Sequence, residues 1–518
     1  MKRIRISLCP AGSWMAIFLL AAAVVFPAVS TSQPLAQGQN KFVGNIISNG
    51  FAIRPDFATY WNQVTAENAG KWGSVESDTG VYNWTGLDNI YNYAVTHGFP
   101  YKHHTLIWGS QQPGFMTGLD SASQYQEIEN WFINCGSRYP QAKFWDVVNE
   151  PLHAPPSYRN ALGGDGVTGW DWVIKAFQLA RVWLAAGAKL HLNEYSVIND
   201  NAANANFLQI INLLKTRGLI DGIGVQGHYF EIDGGASTST MQNNLNNLAA
   251  TSLPIYITEL DINQQSDSVQ LQRYQTVFPV LYGHPGVYGI TLWGYAQNEV
   301  WRPYTHLVLT GGTERPALKW LRKYLATPLQ PLLVSPVGTV GEPRNAVLRW
   351  RPSALAASYR IQVSTNTIFT AVVVDSAVAD TILRLNPLAA TSTFYWRASA
   401  SNDSGVSPYS VTGSFGTGDQ IVGVEAAGGL PGEIRLSQNY PNPFNPATLI
   451  GYAVPERSRV SLRVYDVLGK EVATLFDGVR PAGEYVAEFN GKALSSGIYF
   501  YRLVSGRFVE TKKLVLMK

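Results

Sequence analysis

Short apolar runs recur along the first two thirds of the chain, each ending on polar or aromatic groups. They predict strands near Phe42–Ile47, Asn62–Thr65, Tyr101–Ile107, Phe144–Val148, Leu190–Asn193, Gly222–Gln226, Ile255–Thr258 and Gly289–Trp293. The fourth is the clearest: Phe144, Trp145, Val147 and Val148 are broken only by Asp146, as in a strand buried on both faces. Asn149 and Glu150 follow it, and Pro151 stops the pairing. Pro254–Asp261 (PIYITELD) repeats that plan and leads into Glu259. The intervening segments carry helical period, as in Trp170–Ala186, where Val173, Ala176, Phe177, Ala180 and Trp183 share a face, and in Phe207–Arg217. Eight strands alternating with helices over about 290 residues predict an α/β fold, a (β/α)8 TIM barrel.

Past residue 328 the period changes. Pro328–Pro336 reads as a proline-bearing linker. Alternation then sets in at Tyr359, Ile361, Val363 and at Phe394, Trp396, Ala398, which predicts a small β-sandwich over 329–415. Residues 416–435 are Gly-rich and read as a linker. Val460, Leu462, Val464 and Tyr485, Ala487, Phe489 predict a second all-β sandwich over 436–518.

The length of 518 residues agrees with several domains. A net charge of +3 points to no polyanionic partner, so nucleic acid is not expected. With 15 Trp, 26 Tyr and only 14% charged residues, the composition suits a compact exported protein with stacking surfaces. Lys2, Arg3 and Arg5 ahead of apolar Met15–Phe26 read as a signal peptide over 1–36, cut somewhere in Ser30–Gln37. Cys9 lies in that signal and Cys135 is alone, so no internal disulfide is expected in the mature chain.

A barrel of this kind places its chemistry at the C-terminal ends of its strands. Here those ends carry Glu67 and Asn68, His104 and Trp108, Asn149 and Glu150, Asn193 and Glu194, Gln226 and His228, Glu259 and Asp261, and Trp293. There is no Cys/His cluster at metal-ligand spacing, no phosphate-binding Gly-rich loop and no G-x-S-x-G elbow, so neither a metal nor a cofactor is expected. Two carboxyl groups, several amide and imidazole groups, and aromatic planes are the set that sugar chemistry requires. One carboxylic acid protonates a leaving oxygen, one carboxylate serves the anomeric carbon, and flat rings carry the apolar face of a pyranose. Singly, each has a plainer reading: either Glu as a helix cap or solvated group, His104 or His228 as a satisfied core histidine, Lys71 as a surface lysine. Trp145, inside its strand, reads as core packing.

From about Phe42 to Leu325 the chain resembles glycoside hydrolase family 10, the endo-β-1,4-xylanases. The resemblance is carried by NQVTAENAGKW (62–72), HTLIWGSQQP (104–113), WDVVNEP (145–151), LNEY (192–195), GVQGHY (224–229), ITELDI (257–262) and LWGYAQNEVW (292–301). It implies Glu150 as general acid/base and Glu259 as nucleophile of a retaining hydrolase of xylan and xylo-oligosaccharides. It implies Asn149 on the sugar 2-hydroxyl, and Glu67, Asn68 and Lys71 on the next sugar towards the non-reducing end. His104, Trp108, Gln111, Gln226 and His228 would line the site, with Trp293 and Trp301 as walls. Asp261 would steer His228, and Tyr195 would stand behind the first layer. The chain departs from the family pattern twice. Gly109 stands where a histidine is usual, removing an imidazole near the carboxylates, and Glu194 replaces the usual aspartate.

Two further resemblances complete the layout. Trp350, Tyr359 and YWRASASNDSG (395–405) are similar to a fibronectin type III domain, which implies a spacer. QNYPNPFNP (438–446), RVYDVLGKEV (463–472), PAGEY (481–485) and SSGIYFYRLVSG (495–506) resemble the C-terminal sorting domain of type IX secretion. That implies handling by the type IX machinery and a secreted or outer-surface location; a monomer is expected. A barrel glycosidase of β-1,4-glucan and a non-catalytic glycan binder are the rival readings, and the presence of both glutamates argues against the second.

Overall fold

The computed structural model describes residues 33–48, 52–233, 237–419, 433–439 and 441–517. Residues 1–32 of the signal peptide expected over 1–36 and most of the Gly-rich linker lie outside the described residues. Eight parallel strands close into a barrel: β1 (Phe42–Ile47), β2 (Val64–Ala66), β3 (Tyr101–Ile107), β4 (Phe144–Asn149), β5 (Lys189–Glu194), β6 (Gly222–Val225), β7 (Ile255–Leu260) and β8 (Val287–Leu292). Each pairs with its sequence neighbours, and β1 pairs with β8 through Asn45 and Leu292 to complete the ring. The helices that follow the strands in turn are α1 (Phe57–Tyr60), α2 (Thr85–Thr96), α3 (Ser121–Arg138), α4 (Asp171–Trp183), α5 (Asn201–Lys215), α6 (Thr238–Ala249), α7 (Asp267–Gly283) and α8 (Pro316–Ala326).

The alternation of buried strand and amphipathic helix is what the apolar runs predict, with boundaries moved by local chemistry. Helix α5 begins at Asn201, ahead of the predicted Phe207, because the Asp200 carboxylate accepts the N–H groups of Ala202 and Ala203. At the N-terminal end of the barrel the rings of Phe42, Phe144 and Tyr256 pack with centroids 5.0–6.0 Å apart, and His191 stacks on Tyr256. That end is filled, so the open end is the C-terminal one.

The packed chain starts earlier than the signal boundary at residue 36 predicts. Leu35 and Ala36 are buried in the barrel core, and Leu35 N–H donates to the Tyr60 carbonyl at 2.9 Å. The Lys41 ammonium donates to the carbonyls of Tyr282 and His284 at the end of α7, and burial lowers its pKa to about 8. Between the barrel and the sandwich the predicted linker is also shorter, since Leu333–Ser335 pairs as a strand with Val347–Trp350.

The first sandwich sets the three-stranded sheet Leu333–Ser335, Val347–Trp350 and Ile382–Arg384 against one built on Ser358–Ser364, Val372–Val378 and Thr393–Asn402. Trp350 lies between Tyr359 and Trp396 at 5.6 and 6.4 Å, and together these rings fill its core. In the last sandwich, Glu471–Arg480, Ser458–Tyr465, Gly497–Ser505 and Phe508–Leu516 form one sheet, and Arg435–Leu436, Ala447–Val454 and Gly483–Asn490 the other. Its core is Ile450, Val460, Leu462, Val464, Tyr501, Leu503 and Leu514. The Asn-Pro-rich stretch packs onto it: Phe444 is buried, and Asn442 accepts the N–H of Val515.

Candidate active site

Strand registers decide where the carboxylates point. Along β7, Ile257 faces Ile290 and Leu260 faces Leu292, so β7 carries one residue more than β8 over that interval. The extra residue lets Thr258 and Glu259 both reach inward groups, although adjacent residues of a regular strand alternate sides. Similar shifts occur in β3 between His104 and Ile107 and in β4 between Asp146 and Val148. Glu150 follows β4 directly with φ 53°, a left-handed conformation that costs a non-glycine residue roughly 1 kcal/mol or more. It is held by its own N–H on the Asn193 carbonyl and by the N–H groups of His153 and Ala154 on its carbonyl.

The two carboxylates stand in unlike surroundings. Glu150 accepts neutral donors: Trp108 Nε1–H at 2.8 Å on one oxygen and Gln226 Nε2–H at 2.9 Å on the other. Glu259 is buried, 4% exposed, and accepts Asn193 Nδ2–H at 2.8 Å; its other oxygen lies 3.2 Å from His228 Nε2. His104 Nδ1 lies 4.0 Å away. Burial alone would raise the pKa of Glu259, but His104, His228 and Lys102 outweigh it and bring the value down to about 2. For His228, burial lowers the value, while Asp261 and Glu259 raise it to about 10.

Amides join the pair. Gln226 Nε2 bridges Glu150 and Asn149 Oδ1, and Asn193 Nδ2 bridges Asn149 Oδ1 and Glu259. The Asn149 oxygen is thus engaged twice. Beneath Glu259, Asp146 is fully buried and gathers Lys102 Nζ at 3.0 Å and His104 Nδ1 at 2.9 Å. Burial pushes the Asp146 carboxyl up, but Lys102, His104 and His191 hold it well below the ordinary carboxylate range.

On the flank, Lys71 Nζ donates to Asn68 Oδ1 at 2.9 Å and lies 5.0 Å from the centre of the Trp108 ring. Lys71 and Glu67 are both buried, so a surface lysine is not what the structure shows; burial lowers the Lys71 pKa. Gly70 admits no side chain, since a Cβ there would meet the His104 carbonyl at 2.5 Å, and this packing seats Lys71 beside Trp108. Trp293 is buried, edge-on to His104 and His228 at 5.3 and 6.1 Å. Tyr195 stacks on His153 at 3.9 Å. Gln111 is exposed, and only its backbone carbonyl is engaged, by Gly73 N–H; the neighbouring Gln112 grips Ser157 instead.

Residues 33–328 match the family model for Glycosyl hydrolase family 10. The chain belongs to that family. Among relatives of this glycosyl hydrolase, Endo-1,4-beta-xylanase B of Cellvibrio japonicus is 42% identical over 284 residues, which cover 54% of this chain and 45% of the relative. Endo-1,4-beta-xylanase of Agaricus bisporus is 30% identical over 253 residues, 47% of this chain and 74% of that one. The chain thus spans less than half the length of the first relative. The solved GH10 structure from Paenibacillus barcinonensis shares the fold, with TM-score 0.51 and 22% identity over 56% of this chain and 96% of that one. Residues 438–517 match the model for a Secretion system C-terminal sorting domain.

The two departures from the family-10 pattern meet in one place. A Cβ on Gly109 would lie 2.5 Å from the Pro155 carbonyl and 2.6 Å from that of Ala154, so the loop after Glu150 fills the space a side chain would need. Glu194 holds that loop: its buried carboxylate accepts Leu152 N–H and Tyr195 N–H and lies 2.9 Å from His153 Nδ1. The same loop carries an imidazole of its own, His153, whose hydrogen bond with Glu194 raises its pKa. Sequence reasoning assigned no role to Lys102, Asp146, Asn193 or His153. The available signal was charge inside an apolar run: Asp146 within β4, and Lys102 two residues before His104.

Proposed function

We propose that this glycosyl hydrolase is a secreted endo-1,4-β-xylanase that cleaves with retention of configuration. The observation that carries the reading is the contrast between Glu150 and Glu259 within one amide-linked site. Glu259, ionised down to about pH 2, is suited to attack the anomeric carbon. Glu150, between two neutral donors at the mouth, is suited to carry a proton to the leaving oxygen and later to take one from water. Direct attack requires the carboxyl groups to lie about 5–5.5 Å apart, which excludes a water behind the sugar.

The remaining residues fit a xylosyl chain. The free NH₂ of Asn149 would bind the 2-hydroxyl beside the nucleophile, and Glu67, Asn68 and Lys71 would read the next sugar. Trp293 would wall the sugar at the cleavage point. The names of the Cellvibrio and Agaricus relatives agree with xylan as substrate. In the first sandwich, which we read as a spacer, the Arg397 guanidinium lies 3.9 and 4.0 Å from the ring centres of Phe369 and Tyr409. The sorting-domain match supports export by type IX secretion, ending in release or surface attachment.

Proton NMR of the first sugar formed from xylo-oligosaccharide tests the mechanism: the β anomer is expected, and an α anomer would mean inversion. Reducing ends should appear from xylan and not from soluble cellulose; the opposite would favour a β-glucanase. Deleting 436–518 should leave xylan hydrolysis intact in purified protein but hold the protein in the periplasm of a type IX host. Loss of activity would make the tail part of the catalytic unit.

A further inference from the structure

Trp301, on the loop after β8, has the position of a wall, yet its hydrogen bond runs inward. Its Nε1–H donates to Asp261 Oδ2 at 2.5 Å. The same oxygen lies 3.1 Å from His228 Nδ1, and Asp261 Oδ1 accepts Tyr229 N–H. His228 Nε2 then meets Glu259. A line of contacts therefore runs from a ring that is 37% exposed to a buried carboxylate: indole, carboxylate, imidazole, carboxylate. A sugar wall needs only the face of its ring. Here the Arg302 guanidinium lies 4.3 Å from the ring centre, and the ring also meets His228 at 4.9 Å and Tyr229 at 5.9 Å.

We infer that Trp301 is a positioning residue for the nucleophile, acting through Asp261 and His228 on Glu259. Resting on the proposed function only in taking Glu259 as nucleophile, the inference gives the indole N–H a defined effect. Asp261 Oδ2 is shared between two donors, so its pull on His228 is weaker than it would be for one. Sharing also fixes where Asp261 sits, and with it the direction of the His228 ring. The charged groups facing His228 are Glu259 and Asp261 from the end of β7, Glu231 from the turn after β6, whose carboxylate accepts His228 N–H, and Arg302 beyond the indole. None of the others replaces the indole donor on Asp261.

Trp301→Phe keeps a ring and removes the N–H. On a short xylo-oligosaccharide, kcat should fall by about tenfold, the size of one hydrogen bond to a charged group, while KM stays within about twofold. NMR titration of the His228 ring should show its pKa raised in the variant, since Asp261 no longer divides its charge; this readout holds even if the variant is poorly active. A raised KM with unchanged kcat and an unmoved His228 titration would make Trp301 a wall only and overturn the inference. Wild-type protein inactive on xylan would instead sink the proposed function.

Discussion

The surroundings of Glu150 and of Glu259 differ more than the residues do. Around Glu150 the donors are an indole and an amide, both neutral, and the segment bearing it makes a left-handed turn at the barrel mouth. Around Glu259 the donors are an amide and an imidazole, with His104 and Lys102 behind. Neutral donors surround one carboxyl group, and an imidazole and buried charges surround the other. In the proposed mechanism this difference in environment is what separates their roles.

The largest test exchanges each carboxyl for a methyl. Glu259→Ala should abolish hydrolysis of every substrate. Glu150→Ala should lose about 10²–10⁴-fold on xylan, yet still form and accumulate the glycosyl-enzyme from an aryl glycoside with a good leaving group. Azide should then yield a β-azide from Glu150→Ala and an α-azide from Glu259→Ala. The same anomer from both would erase the distinction.

Next in size is the buried charge under Glu259. Asp146→Asn leaves Lys102 buried without its carboxylate, and chemical denaturation should show a loss of about 3–5 kcal/mol. A stability loss below about 1 kcal/mol would mean the pair is not what holds the floor of the site.

The pH dependence separates the two regions again. His228 is raised from 6.5 to about 10, so its stabilising contribution is complete below 6.5 and is lost as pH climbs through about 10. Glu259 is lowered from 4.5 to about 2, so its contribution is complete above 4.5 and is lost as pH falls through about 2. Thermal melts of wild type should therefore decline at both extremes, and His228→Asn should flatten the alkaline decline. An unchanged alkaline limb would remove His228 as its source. Smallest of all, Trp108→Phe deletes one donor to Glu150 and should cost about 1–3 kcal/mol of transition-state stabilisation, read as kcat/KM, with the melting temperature little changed.

Much of this site could be read from the chain because buried parallel strands announce themselves as apolar runs and their ends as the first polar residues beyond. That logic located Asn149, Glu150 and Gln226. It placed Glu259 at a strand tip, whereas the extra residue in β7 turns Glu259 inward one position before the strand ends at Leu260. Registers depend on two strands at once, so one run of letters does not reveal them. Lys102 and Asp146 escaped for a related reason: a charge within an apolar strand reads as an interruption until its partner on the neighbouring strand is known. Gln111 stands exposed beside Gln112, which holds Ser157, so packing within the protein gives its side chain no task that a single chain of letters could show. Gly109 and Glu194 looked like separate departures, and only the packing of the 150–155 loop joins them.

The seam between β1 and β8 bears on how the barrel forms. Asn45 pairs with Leu292, and the Lys41 amine grips the last turn of α7, so the two ends of the domain complete each other. A chain emerging from its N-terminus during synthesis presents β1 long before β8. Until then β1 keeps a bare edge, and long-range closure of this kind is slow as well as open to mispairing. The final sandwich is built largely of hairpins between neighbours, such as Gly497–Ser505 with Phe508–Leu516, and can form as it arrives. The cleft therefore assembles late, and a partly made enzyme has no working mouth with which to cut.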